Sequence, residues 1–216
     1  MPSNTSKSKS LSRRERESAR HRQEMLDAAE AAFSEYGFEK ARMEDIAQRA
    51  EFAVGTLYRF FASKDQLYLE LLREKADIME KRLGEAINAG KTPLEKVRNI
   101  FFTRLDLFWD HKAFFRLMVQ ETEGSLHKPR LCGDENLAAR YQRFLEQLKD
   151  YFEAGIREGE FRDVSAHCLL AAFEGILRNY VARLGYLDQD APRDPAEEEA
   201  MFELFSHGAC FAPKSQ

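Results

Sequence analysis

Residues 41–64 read ARMEDIAQRAEFAVGTLYRFFASK, and their spacing decides the fold. Met43, Ile46, Ala47 and Ala50 recur at the three-to-four-residue interval of one helical face. Val54, Leu57, Phe60 and Phe61 make a second such face, and only Glu51 and Phe52 separate the two clearly. Two short helices therefore meet at a tight turn. These are the dimensions of a helix-turn-helix, in which one helix braces on a DNA backbone while the next enters the major groove. Spacing alone also fits an ordinary helical hairpin in a core. Surface chemistry favours the first reading: with Leu57 and Phe61 inward, the outer face holds Val54, Gly55, Thr56, Tyr58 and Arg59, which include a hydroxyl, a phenol and a guanidinium.

Helix punctuation recurs on both sides of this stretch. Ser12 with Glu15 is a capping box, Met25, Ala29, Ala32, Phe33 and Tyr36 share a face, and Gly37 is suited to end the helix. Ser63 with Gln66 opens a long fourth helix, carried to Asn88 by Leu67, Leu71, Ile78 and Leu83. Thr92 and Pro93 with Glu95 start a fifth, which runs near Trp109, and a sixth follows His111. Residues 124–133 read as a loop. The seventh helix spans 136–157, with Leu137, Tyr141, Phe144, Leu148 and Tyr151 inward and Gly159 as its stop. The eighth spans 164–184 and ends at Gly185, and Asp194-Pro195 with Glu197 opens a ninth over 195–211. Period-two alternation is missing, so the expected class is all-α. Nine helices with no repeat period suggest a bundle rather than a solenoid.

The 216 residues include 11 glycines and 6 prolines, too few for a collagen-like or linker-rich chain. A formal charge of −4 speaks against a nucleic-acid partner only as an average. Residues 1–22 hold seven basic and two acidic groups, a charge of +5, whereas residues 65–216 hold 21 basic and 27 acidic groups, a charge of −6. Residues 1–19 read as a flexible basic arm in which Arg13, Arg14 and Arg16 address phosphates or a minor groove. Ser12 and Glu15 leave open that this arm extends helix 1. Cys132, Cys168 and Cys210 lack the spacing of zinc ligands and read as reduced thiols, the last two as buried small hydrophobes. No run reaches the roughly 18 apolar residues of a membrane span, and no secretory signal is present, so a cytoplasmic location is expected. The five histidines show neither an HExxH nor a Glu-x-x-His spacing, so no metal, cofactor or catalytic residue is expected and an enzyme is disfavoured.

Residues 22–67, RQEMLDAAEAAFSEYGFEKARMEDIAQRAEFAVGTLYRFFASKDQL, also carry a family signature: Leu26-Ala28-Ala29, Phe33, Gly37, Asp45-Ile46-Ala47, Gly55-Thr56-Leu57-Tyr58, Phe61 and Ser63-Lys64-Asp65. In this combination the chain resembles the TetR family of bacterial transcriptional regulators. The resemblance implies a two-domain architecture, an N-terminal three-helix helix-turn-helix DNA-binding head at 20–66 and a C-terminal helical ligand-binding and dimerisation bundle at 67–216. It also implies a homodimer on a palindromic operator, repression, and release by a small-molecule effector. Thr56, Tyr58 and Lys64 match the positions from which the family contacts DNA. Arg42 and Arg59 are added as phosphate or guanine contacts, and Val54 and Gly55 as surface against a sugar or a thymine methyl. The chain departs from the family pattern at Glu51, where the turn has glycine, at Ala53, where a serine or threonine caps the helix, and at Phe60, where histidine is usual. These departures keep a second reading open, a helical ligand-binding or scaffold protein with a degenerate helix-turn-helix.

The body is aromatic. Phe101, Phe102, Phe108, Trp109, Phe115, Tyr141, Phe144, Phe173 and Tyr180 fill a bundle core, and some of them are expected to line a pocket for an apolar or aromatic effector. Arg104, Arg116, Glu121 and Asn179 are the candidates for its polar anchor, with surface or buried salt-bridge roles as the alternative for each. The eighth and ninth helices match the family's dimerisation pair, with Leu169, Ala172, Ile176, Met201, Leu204 and Phe205 as the expected interface. Ligand binding in the bundle is expected to move the fourth helix and change the separation of two heads that sit about 34–36 Å apart on DNA.

Overall fold

The computed structural model describes residues 12–116, 134–188 and 190–210. Among these residues there are nine helices and no strand. They are α1 (Arg13–Lys40), α2 (Met43–Arg49), α3 (Val54–Phe60), α4 (Lys64–Ala89), α5 (Pro93–Asp110), α6 (112–116, as far as it is described), α7 (Glu135–Arg157), α8 (Ala166–Tyr186) and α9 (Pro195–Ala209). An isolated antiparallel bridge joins Phe161 to Cys210. The expected loop over 124–133, Cys132, Glu121, the rest of the sixth helix and Phe211 lie outside the described residues. The chain divides into two compact units between Leu71 and Leu72, within α4.

In the first unit, capping sets the ends of α1. Ser12 Oγ accepts from the Glu15 N–H at 3.3 Å and Glu15 Oε2 accepts from the Ser12 N–H at 2.7 Å, so the helix begins at Arg13. Over residues 13–19 the expected arm is corrected to exposed helix, the alternative that Ser12 and Glu15 had kept open, and the remainder of the arm, residues 1–11, lies outside the described residues. Gly37, at φ 77° and ψ 161°, breaks the helical path before Phe38. Met25, Leu26, Ala29, Ala32 and Phe33 are buried, but Tyr36 stays outside, 43% exposed beneath the Arg49 guanidinium. The core closes on a triangle of rings, with Phe33, Phe38 and Tyr68 at centroid separations of 5.1–5.4 Å.

In the second unit, α5, α7 and α9 each start on a side-chain cap, whereas α8 does not. Thr92 Oγ1 accepts from the Glu95 N–H, Asp194 Oδ1 from Ala196 and Glu197, and Asp134 Oδ1 from Asn136 and Leu137. Asp134 also takes two hydrogen bonds from Arg73, at 2.7 and 2.9 Å. Burial by itself raises its carboxyl, but Arg73 and the two backbone donors outweigh burial and hold it below the ordinary aspartate value. The inward face of α7 carries Leu137, Leu148 and Phe152, while Tyr141 is 37% exposed rather than inward. Gly185 does not stop α8, which continues to Tyr186: Leu187 N–H closes on the Arg183 carbonyl, and Arg183 pairs with Asp188 and Glu197. Cys168 is exposed, contrary to expectation, because it falls on the outer side of α8; Cys210 is partly buried.

Candidate functional site

The turn between α2 and α3 is built by the backbone. Ala50 and Phe52 N–H groups reach back to the Ile46 and Ala47 carbonyls, each at 2.9 Å. Between them Glu51 adopts φ 60°, the left-handed conformation that glycine takes at little cost. The departure at Glu51 therefore adds strain without altering the turn. At α3, Ala53 offers no side-chain cap, and the Thr56 N–H bonds the Ala53 carbonyl at 2.8 Å. Leu57 and Phe61 are sealed in the core. That fixes the rotation of α3 and leaves Val54 at 38% and Tyr58 at 46% exposure, with Gly55 and Arg59 exposed and Thr56 half-buried. A methyl group added at Gly55 would meet nothing within 4 Å, so this end of α3 is open to an approaching surface.

Beside this face lies an open hollow of about 600 Å³, whose lining includes Arg42, Tyr58, Ser63 and Lys64. Arg42 is exposed at the N-cap of α2, with its side chain uncommitted to capping. Lys64 behaves differently from a solvent-facing lysine. Its ammonium donates to the carbonyls of Phe38, Glu39 and Ala41 and lies 4.5 Å from the centre of the Phe38 ring. Ser63 Oγ accepts from the Gln66 N–H, and Gln66 Oε1 accepts from Ala62 rather than Ser63. Arg13, Arg14 and Arg16 are exposed on the first turns of α1. Arg22 is instead spent inside the unit, paired with Glu70 and set 5.6 Å from the Phe61 ring centre.

In the body, the residues expected around a pocket do not gather in one place. Phe101, Phe108 and Phe173 are sealed, with Phe101 5.7 Å from Phe173 and 5.3 Å from Phe202. Phe102 packs on Phe202, and Phe115 on Phe108. Trp109 and Tyr180 serve a buried carboxylate that the sequence did not single out: Glu198, 1% exposed, accepts from Trp109 Nε1 at 2.7 Å, Tyr180 Oη at 3.5 Å and Arg193 Nη2 at 2.8 Å. Burial, with Glu198 and Glu197 nearby, pushes the Tyr180 phenol up to about 12. Arg104, Tyr141 and Phe144 meet elsewhere, around Glu174. Arg104 pairs with the Glu174 carboxylate, Tyr141 Oη donates to it at 3.1 Å, and the Phe144 ring centre is 5.6 Å from the guanidinium. Nothing in the run Glu197-Glu198-Glu199 marks the buried member except its register on α9.

Of the expected dimer residues, Leu169 and Phe205 belong to the core of the chain itself, the Phe205 ring lying 5.5 Å from Phe173. Ala172 is exposed, Ile176 and Met201 are half-buried, and Leu204 stands 75% exposed. Ala172 and Leu204 therefore face outward, while Ile176 and Met201 pack in part against the core.

A model of the bacterial regulatory proteins of the tetR family matches residues 25–71. The chain is 30% identical over 141 residues to the HTH-type transcriptional repressor KstR2 of Mycobacterium tuberculosis, covering 65% of this chain and 69% of that protein. The solved structure of that ketosteroid transcriptional regulator superposes with a TM-score of 0.70 at 24% identity, over 88% of this chain and 95% of its own. The transcriptional regulator FadR of Bacillus subtilis, solved in complex with stearoyl-CoA, superposes with a TM-score of 0.71 at 22% identity, over 86% of this chain and 98% of its own.

Proposed function

This chain belongs to the tetR family of bacterial regulatory proteins, and from that premise we propose that it is a repressor released from a palindromic operator by a large apolar effector. It is a helix-turn-helix transcriptional regulator. The observation that carries the DNA-reading part is the rotation of α3: buried Leu57 and Phe61 hold Val54, Gly55, Tyr58 and Arg59 outward, with Thr56 at their edge. Tyr58 and Thr56 reach base edges or phosphates, Arg59 a guanine or phosphate, and Arg42 a phosphate from across the hollow. Arg13, Arg14 and Arg16 add sequence-independent attraction. Glu51 keeps the turn in the form glycine would give it, which favours a working motif over a degenerate one.

Two copies pair through the outward side of α8 and α9, where Ala172, Ile176, Met201 and Leu204 offer an apolar surface. The effector enters among α5, α7 and α8, where Arg104, Tyr141 and Phe144 gather around Glu174. Its apolar class is supported by FadR, whose structure holds stearoyl-CoA, and by the ketosteroid regulator KstR2. The chain regulates rather than catalyses, as its relatives do, and acts in the cytoplasm where the chromosome lies. Among the described residues no helix is long and apolar enough to cross a membrane.

The test is a mobility shift with the DNA upstream of the chain's own gene, with and without stearoyl-CoA or a ketosteroid. Retarded DNA set free by either ligand, with affinity lowered about 5–150-fold, is the expected result. Affinity unchanged by saturating stearoyl-CoA and by a saturating ketosteroid contradicts release by a large apolar effector, and no shift beyond that of random DNA contradicts the regulator itself.

A further inference from the structure

The break in α1 at Gly37 takes the carbonyls of Phe38, Glu39 and Ala41 out of a regular helical ladder, just before the chain turns into α2. Lys64, the first residue of α4, lies against them: its Nζ is 2.7 Å from the Phe38 oxygen, 3.1 Å from that of Glu39 and 3.0 Å from that of Ala41. An ammonium has three N–H donors, and here each has a carbonyl. Placed at the negative end of α1 and over the Phe38 ring, the charge is also favourably sited without any external anion. To bind a phosphate, Lys64 must surrender at least one of these bonds.

We propose that Lys64 is a positioning residue for DNA recognition, a clamp that ties the turn before α2 to the turn after α3, and that it makes no phosphate contact of its own. Ala41, whose carbonyl it holds, immediately precedes Arg42. Tyr58 lies one turn and a short link before Lys64, and Arg42, Tyr58 and Lys64 line the same hollow. Holding the two turns together fixes the spacing between the exposed arginine of α2 and the exposed phenol of α3. The clamp rests on the reading of the head as a DNA-binding unit and deepens it by separating a residue that touches DNA from one that arranges those that do.

The test uses the full chain, a random-sequence duplex and the fragment upstream of its gene, with affinities measured across a salt series. Lys64→Met keeps the stem and removes the ammonium; Lys64→Arg keeps the charge but replaces three converging donors with a planar fork. Loss of a phosphate contact lowers the salt slope on random DNA by about 1. A clamp predicts an unchanged slope for Lys64→Met, with the preference for the upstream fragment reduced about tenfold or more, a loss on the scale of one good base contact. It predicts that Lys64→Arg fails to restore that preference, whereas a phosphate contact is restored by arginine. Circular dichroism at the binding temperature checks that the helices persist; if Lys64→Met unfolds, Lys64→Arg carries the test. A slope lowered by one, rescue by arginine, or an intact preference in both variants overturns the clamp. A wild-type chain that binds neither duplex overturns the reading of the head, and the clamp with it.

Discussion

The head and the body of this chain bury aromatic side chains by the same physics but expose different things. In the head, Phe33, Phe38, Phe61 and Tyr68 form a small core whose task is to orient one seven-residue helix, and the working side chains point outward. In the body, rings pack on rings, with Phe101, Phe152, Phe173, Phe202 and Phe205 linked at centroid separations of 5.3–6.1 Å, and carboxylates are drawn inside at Glu174 and Glu198. A surface that reads DNA is separable from the core that supports it, residue by residue. A site for an apolar ligand is made of the same residue types as the core around it.

The largest effect that can break this contrast is in the body. Phe173→Ala should cost about 3–5 kcal/mol in thermal or denaturant unfolding, as for a sealed phenylalanine whose neighbours cannot close the gap. A cost below about 1 kcal/mol would mean that Phe173 already borders a void and belongs to the ligand site. Next comes the buried cap. Asp134→Ala should cost about 1–3 kcal/mol at neutral pH, since it strips Leu137, Asn136 and Arg73 of a shared acceptor. Because the folded carboxyl titrates below its unfolded value of 3.8, its contribution is present above that pH and is lost as pH falls through the folded value. The gap between wild type and variant should therefore narrow on acidification, and a gap that widens would contradict the assignment. Smallest is the strain in the head: Glu51→Gly should raise stability by about 1 kcal/mol by relieving the left-handed conformation. A loss of melting temperature would show that the Glu51 side chain holds the turn through contacts of its own.

The contrast also explains what the sequence made legible. The helix-turn-helix was readable because an inward pair at Leu57 and Phe61 leaves only one outer face, and because Gly37, Ser63 and Thr92 punctuate in recognisable chemistry. The partners of Lys64 were illegible for a local reason: nothing in Ser63-Lys64-Asp65 reveals that three carbonyls from the far side of a glycine break converge on its ammonium. Gly185 marked a stop that the Arg183 pairs with Asp188 and Glu197 carry the helix beyond. In the body, the alternation of rings gave the core and the helical class, yet not which of Trp109 and Tyr180 would turn to a buried Glu198. That outcome depends on where α9 docks, a long-range fact with no local signal. Leu169 and Leu204 look alike as letters, and only the rotation of α8 and α9 sends one inward and leaves the other in solvent.

The central claim is that the outer face of α3 reads base sequence while its inner face only holds it. Tyr58→Ala tests this most directly, through competition between the upstream fragment and random duplex at fixed salt, with the melting temperature measured alongside. Tyr58 is half-exposed, so the account predicts an unchanged melting temperature and a preference for the upstream fragment reduced by about 5–150-fold, the worth of one specific base contact. A variant that keeps its preference, or a wild-type chain that has none, contradicts it.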